Sequence, residues 1–141
     1  NIEPLRIGLV GYGLGGRVFH APLYAAAGVE LVAVASSDAA RVHADFPEVT
    51  VHPTPQALFA DERVELVDLA SPSPTHAPLM LEALAAGRHV ISDRTAYSSL
   101  AYQGGGRELG VDEVRIINDW AIAGRWPDVV VYLRNYTVLP R

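Results

Sequence analysis

The sequence predicts an α/β fold with a doubly wound parallel sheet, on three observations. Short, nearly unbroken apolar runs alternate with helical stretches through the first 93 residues. A glycine-rich turn, Gly11-Tyr12-Gly13-Leu14-Gly15-Gly16, separates the first apolar run from the first helix. The chain has 141 residues, half of them apolar, which suffices for an ordinary domain with its own core. Strands that are apolar along their whole length belong to a parallel sheet covered on both faces. Right-handed crossovers then give the winding.

Arg6-Ile7-Gly8-Leu9-Val10 reads as a short buried strand. Gly15 to Ala27 reads as a helix whose internal Pro22 either kinks it or marks its first part, and Gly28 closes it. Leu31 to Ser36 is the second strand, and Asp38 caps a short helix from Ala39 to Asp45. Thr50-Val51-His52 is a brief third strand, succeeded by a helix from Pro55 to Ala60 with proline at its start. Leu66 to Ala70 is the fourth strand. Thr75 is the expected cap of a helix running to Ala86 that Gly87 ends, and His89 to Ser92 is the fifth strand.

After Asp93 the alternation deteriorates. Gly104-Gly105-Gly106 interrupts the next helical stretch, at a cost of roughly 1 kcal/mol per glycine relative to alanine. Val114 to Ile117 is expected as a sixth strand, with further strands over Asp128–Leu133 and Tyr136–Leu139 and a hairpin around Arg134-Asn135. The expected organisation is therefore a dinucleotide-binding unit over 1–95 and an atypical remainder over 96–141.

Composition excludes several function classes. The net charge is −5 with no basic run, which argues against a nucleic-acid partner. No apolar run approaches the roughly 18 residues that cross a bilayer, so no membrane partner is expected. Asn1-Ile2-Glu3-Pro4 has no basic region leading into an apolar one, so no signal peptide is expected and a cytoplasmic location is the default. There are no cysteines, which removes disulfides, thiolate metal sites and a Cys nucleophile. The five histidines show no metal-ligand spacing, and no metal is expected. All 11 basic residues are arginine; the chain contains no lysine.

Gly11, Gly13 and Gly16 match the G-x-G-x-x-G pattern directly after a strand and at the opening of a helix. The first glycine permits the tight turn, the second admits a pyrophosphate, and the third lets helix and sheet approach. The helix N-terminus adds N–H groups and a favourable dipole for an anion. A dinucleotide is the expected small-molecule partner. A carboxylate about 20 residues past such a turn usually holds the ribose hydroxyls of NAD. Here Ser36, Ser37 and Asp38 occupy that region, with Arg41 one turn on. Two serines and an arginine suit a 2′-phosphate, so NADP is preferred. Asp38 rotated toward the ribose restores NAD.

The loop after strand four reads Ser71-Pro72-Ser73-Pro74-Thr75-His76. With Gly11-Tyr12-Gly13, Val18-Phe19-His20-Ala21-Pro22-Leu23 and Ala83 to Val90, it closely resembles the Gfo/Idh/MocA oxidoreductase family, whose loop reads T-P-N-x-x-H. The resemblance covers about two thirds of the chain. It implies an NAD(P)-binding domain joined to a larger domain for substrate and assembly. It implies hydride transfer between the nicotinamide and a hydroxyl or carbonyl carbon of a sugar, polyol or related compound. By the same resemblance Pro72, Ser73 and His76 line the nicotinamide side, with Ser73 in the place of the usual Asn, and His20 with Pro22 faces the cofactor cleft.

The family's E/D-K-P signature falls on Asp93-Arg94-Thr95. Asp93 keeps the acidic place, while Arg94 stands where the family has its catalytic lysine. Proton transfer near neutral pH needs a group with an accessible pKa, and a guanidinium titrates above about 12. Arg94 can polarise a substrate oxygen but is a poor acid or base. Asn118-Asp119-Trp120 and Gly124 to Asp128 resemble the family's N-R-R-W-D turn only faintly, and Trp120 and Trp126 read as packing or interface residues. Three readings stand open: an NAD(P)-dependent oxidoreductase or its cofactor domain, a non-catalytic dinucleotide-binding module, and a structural remnant acting in oligomerisation. Val129-Val130-Val131-Tyr132 as an open sheet edge suggests a homo-oligomer.

Overall fold

The structure is a computed structural model that describes residues 2–91 and 110–130. The chain divides into two compact units, Asn1–Asp93 and Arg94–Arg141.

In the first unit five parallel strands stand in the order β3-β2-β1-β4-β5. They are β1 (Arg6–Val10), β2 (Glu30–Ala35), β3 (Thr50–His52), β4 (Leu66–Leu69) and β5 (His89–Ile91). Each lies within a residue or so of the apolar run that predicts it. β1 is central, and the chain leaves it toward β2 and β3, then crosses to β4 on its other side. That reversal of strand order opens a crevice at the carboxyl ends of β1 and β4, the place where ligands bind in open α/β sheets.

Side chains alternate between the two faces of the sheet, and each face carries its own core. Ile7 and Leu9 of β1 pack with Tyr24, Val34, Val42 and Leu66. Val10 packs on the other face with Ala33, Leu58, Val64, Val67 and Ala83. The helices over these faces are α1 (Ala21–Ala27), α2 (Ala39–Asp45), α3 (Pro55–Phe59) and α4 (His76–Ala85). Asp38 caps α2 by accepting from the Arg41 N–H at 3.0 Å, and Thr54 caps α3 from the Ala57 N–H at 3.2 Å.

Two helix starts differ from expectation. The segment after the glycine turn is a π-helical turn over Gly15–His20, and α1 begins only at Ala21, with Pro22 in its first turn. Proline lacks the N–H that an α-helix interior needs, and it stands directly after the π-helical turn in which the Ala21 N–H donates to the Gly16 carbonyl. Thr75 stands at the N-cap position of α4 but does not cap it with its side chain: Ser73–Thr75 forms a 3₁₀ turn, and the Thr75 hydroxyl donates to the Pro72 carbonyl at 2.7 Å.

In the second unit the expected sixth strand is a helix, α5 (Val111–Ala121). Gly110 precedes it at φ +84, and Asp112 and Glu113 sit in its first turn, where carboxylates complement the helix dipole. Only Val114 of the apolar run Val114–Ile117 is buried; Ile116 and Ile117 are exposed. The Trp126 indole N–H donates to Asp119, and the Arg115 guanidinium lies 5.3 Å from the Trp126 ring centroid. Trp126 is thus a packing residue, while Trp120 is exposed. Residues 128–130 are not in a strand. The three-glycine run and the expected strands beyond residue 130 lie outside the described residues.

Candidate cofactor-binding site

The carboxyl ends of β1, β2, β3 and β4 surround a cavity of about 610 Å³, within the roughly 300–1,000 Å³ of small-molecule and cofactor sites. Nine residues marked out by the sequence meet on its wall: Gly11, Tyr12, Gly13, Ser36, Ser37, Asp38, Arg41, Ser71 and Pro72. The far wall, which sequence reasoning missed, comes from Pro53 and Pro55 at the start of α3 and from Pro78, Leu79 and Glu82 on α4. The helical spacing of Pro78 and Glu82, one turn apart on the helix after the Ser71 loop, is the signal that points to them.

The glycine turn is closed where the protein needs packing and open where a ligand would approach. Gly11 has φ +93, and a Cβ there would press on the Ala70–Ser71 backbone at 3.0–3.1 Å. A Cβ on Gly13 would meet no protein atom within 4 Å. Gly13 is therefore not required by internal packing, as expected of a glycine that admits a pyrophosphate. Leu14 leaves this wall, and Gly15 and Gly16 lie behind it at the start of the π-helical turn.

Tyr12 lines the cavity but turns its hydroxyl away, donating to Asp45 at 2.9 Å, with its ring edge-on to Phe46. Burial and the Asp45 carboxylate push the phenol up to about 12, so it stays protonated. Arg17 donates from Nε to the same Asp45 oxygen at 2.6 Å. Arg17 and Tyr12 together hold the Asp45 carboxyl below the usual range. These three residues tie the glycine turn to the end of α2.

Beyond β2, Asp38 is fully engaged. One carboxylate oxygen takes the Arg41 N–H and the other faces Arg41 Nε at 3.3 Å. The Ser36 hydroxyl accepts from the Asp38 N–H at 3.1 Å. Rotation of Asp38 to a ribose would break both the helix cap and the ion pair.

The Ser71 loop is cross-braced. The Thr75 hydroxyl gives its proton to the Pro72 carbonyl, so Ser71 Oγ, 2.8 Å away, is the donor to Thr75. His76 Nε2 donates to the Ser71 carbonyl at 2.6 Å, which fixes its tautomer. Neither His76 nor the exposed Ser73 lines the cavity. His20 likewise points elsewhere. Its Nδ1 lies 2.8 Å from an Asp68 oxygen that also accepts the Tyr24 hydroxyl at 2.6 Å. Burial and Asp68 raise the Tyr24 phenol. Asp93 and Arg94 lie outside the described residues. Among the described residues no cluster of His, Asp and Glu has metal-binding geometry, and no helix is long and apolar enough to cross a membrane.

Comparison with known proteins gives two kinships. The oxidoreductase family with an NAD-binding Rossmann fold matches residues 5–94, and the thymidylate kinase family matches residues 54–138. The oxidoreductase YdgJ of Escherichia coli, itself uncharacterized, is 46% identical over 93 residues, covering 65% of this chain and 27% of its own length. A thymidylate kinase of Leuconostoc citreum is 49% identical over 73 residues, covering 51% of this chain and 34% of its own. A Klebsiella pneumoniae protein described as an oxidoreductase superposes with TM-score 0.60 at 47% identity, over 63% of this chain and 26% of that one. A 3-ketoreductase of Actinomadura kijaniata solved with TDP-benzene and NADP superposes with TM-score 0.53 at 32% identity, over 62% and 29%. The chain thus spans little more than a quarter of the oxidoreductase relatives.

The first match ends at residue 94, within one residue of the boundary between the two compact units. The kinase match runs on through Thr95 and through both segments that resemble the oxidoreductase turn faintly. Through residues 5–94 the chain belongs to the Gfo/Idh/MocA oxidoreductase family, with its NAD-binding Rossmann fold, and through residues 54–138 it belongs also to the thymidylate kinase family.

Proposed function

We propose that the unit Asn1–Asp93 is the cofactor-holding part of a Gfo/Idh/MocA oxidoreductase and takes NADP in preference to NAD. The observation that carries the choice is the engagement of Asp38. One oxygen caps α2 and the other faces Arg41, so turning the carboxylate to the ribose hydroxyls would give up both contacts. Ser36, Ser37 and the half-exposed Arg41 border the cavity at that end and suit a phosphate better than a diol.

The bound nicotinamide would supply or accept the hydride. The residues of this chain bind and orient: the glycine turn takes the pyrophosphate at its N–H groups, and the braced Ser71 loop keeps Pro72 against the cavity. The partner substrate is a sugar, polyol or related carbonyl compound. Arg94, in the family's lysine place, polarises rather than transfers a proton. Turnover by this chain alone is accordingly very weak or nil. A cytoplasmic setting fits a chain without cysteine, and self-association fits the exposed Phe19 and Leu23. The kinase kinship supports no phosphoryl transfer within these residues. The phosphate-binding pattern G-x-x-x-x-G-K-[ST] requires a lysine, and the chain has none.

Fluorescence titration of the full chain with NADPH and NADH tests the reading. Tighter binding of NADPH supports it. Tighter binding of NADH defeats the NADP assignment, and binding of neither defeats the cofactor reading.

A further inference from the structure

Beside the large cavity lies a smaller one of about 260 Å³, lined by Tyr12, Gly13, Leu14, Arg17, Val18 and Arg41. The two share Tyr12, Gly13 and Arg41. A group that leaves the ribose end of the large cavity at Ser36–Asp38 and reaches Arg41 therefore stands where the two cavities adjoin. Arg41 is expected from the sequence as a phosphate partner. Arg17, which lines the small cavity with it, is assigned no such role by the glycine pattern.

Both guanidinia are oriented from one edge. Asp45 takes Nε and Nη2 of Arg17 at 2.6 and 3.2 Å. Asp38 faces Nε of Arg41 at 3.3 Å. Among the described residues, Nη1 of Arg17 and both Nη groups of Arg41 bond to no protein atom, and the side chains are 49% and 52% exposed. The carboxylates thus fix each planar fork while leaving donors for a ligand. Asp45 stays ionised for this purpose, because Arg17 and Tyr12 hold it below the usual carboxylate range. A phosphate monoester near neutral pH carries a charge of about −1.5 to −2 and three acceptor oxygens. Arg41 alone, already opposed by Asp38, matches that poorly; two forks that meet at one small cavity match it well.

We propose that Arg17 is a specificity-determining residue that closes, with Arg41, a two-guanidinium clamp on the 2′-phosphate of NADP. The inference rests on the NADP reading above and adds a second residue to it. NAD carries a hydroxyl at that position and gains nothing from the clamp, so Arg17 discriminates between the cofactors and leaves their shared parts alone.

The test is the ratio of NADPH to NADH affinity in the full chain, by fluorescence titration. Arg17→Gln is expected to weaken NADPH by about tenfold to a hundredfold, the range for a lost charged hydrogen bond, with NADH nearly unchanged. Arg17→Lys, which keeps the charge toward Asp45 but loses the fork, is expected to lower the ratio by a smaller factor. It also serves as the readout if Arg17→Gln does not fold. An unchanged ratio in the Arg17 variants, with a collapse in Arg41→Gln, overturns the clamp while the NADP reading survives. Equal losses for both cofactors mark Arg17 as a brace for Asp45 only and also overturn it. A wild-type chain that binds neither cofactor, or prefers NADH, removes the underlying reading and the clamp with it.

Discussion

The carbonyl oxygen of Gly11 occupies the space into which a Cβ on residue 16 would project. The two ends of the glycine turn therefore exclude any side chain between them for reasons internal to the fold. Gly13 has the opposite character, since a Cβ there meets nothing. Gly16→Ala is expected to displace the π-helical turn and cost about 1–3 kcal/mol, as overpacking of a tight site does. Gly13→Ala should unfold at nearly the wild-type midpoint yet lose most dinucleotide affinity, because its methyl stands in the ligand's path. Thermal melts beside cofactor titrations separate the two. Equal stability losses in both variants would show that the turn serves packing throughout.

Asp38 gives a second separation of fold from ligand. Asp38→Ala removes the side-chain acceptor for the Arg41 N–H and should cost about 1 kcal/mol, the usual value of a helix N-cap. The same change keeps the Arg41 charge but removes the carboxylate that orients it, so the melting midpoint should fall while NADPH still binds more tightly than NADH. A matched fall in NADH affinity would instead identify Asp38 as the ribose ligand.

The doubly wound sheet was legible because its signals are local and periodic. Ile7, Leu9 and Val10 announce a strand buried on both faces, and Gly11-x-Gly13-x-x-Gly16 marks the turn from that strand into helix. The glycine-turn side of the cavity was legible for the same reason. The far wall was not, because Pro55 and Glu82 come together only after α3 and α4 pack on one face of the sheet. The orientation of Tyr12 and His76 also escaped the sequence, since each chooses between a ligand and a protein partner present only in three dimensions, whereas the Asp38 cap is a local signal and was legible. Val114 to Ile117 misled because β-branched residues favour a strand in isolation. There Asp112 and Glu113 and a single buried apolar position suit a helix better. The second family escaped because residues from Arg94 onward depart from the one pattern that the Rossmann unit brings to mind.

Tyr24 and His20 share one oxygen of Asp68, at 2.6 and 2.8 Å. This fastens the end of the π-helical turn and α1 to β4. Tyr24→Phe deletes one neutral-to-charged hydrogen bond and should cost about 1.5–3 kcal/mol. Asp68→Ala strands both donors and should cost at least as much. In a double-mutant cycle the two losses should fall well short of additive, because they remove the same contact. Additive losses in urea melts would mean that Asp68 and Tyr24 act on separate partners.

Asp61 gives the acid limit of the first unit. Its carboxylate accepts from Arg63 Nε and Nη2 at 3.0 and 2.6 Å, and His52 Nε2 lies 3.0 Å away. Arg63 also reaches the Thr50 hydroxyl at 2.9 Å, so the cluster pins β3 to the loop before β4. The Arg63 hydrogen bonds lower the folded pKa of Asp61, against the opposing effect of burial. An unfolded aspartate titrates near about 3.9. The stabilisation is therefore complete above that value and is lost as the pH falls below it toward the lower folded pKa. Asp61→Asn should be less stable than wild type at pH 7, by about 1–3 kcal/mol for the donors left poorly paired. The gap should narrow as the pH drops below about 4, where the unfolded wild type takes up a proton that the folded protein does not. Urea unfolding of both proteins across pH 7 to 3 reads this directly. A gap that stays constant over that range would mean that the Asp61 charge contributes nothing and that only its shape is used.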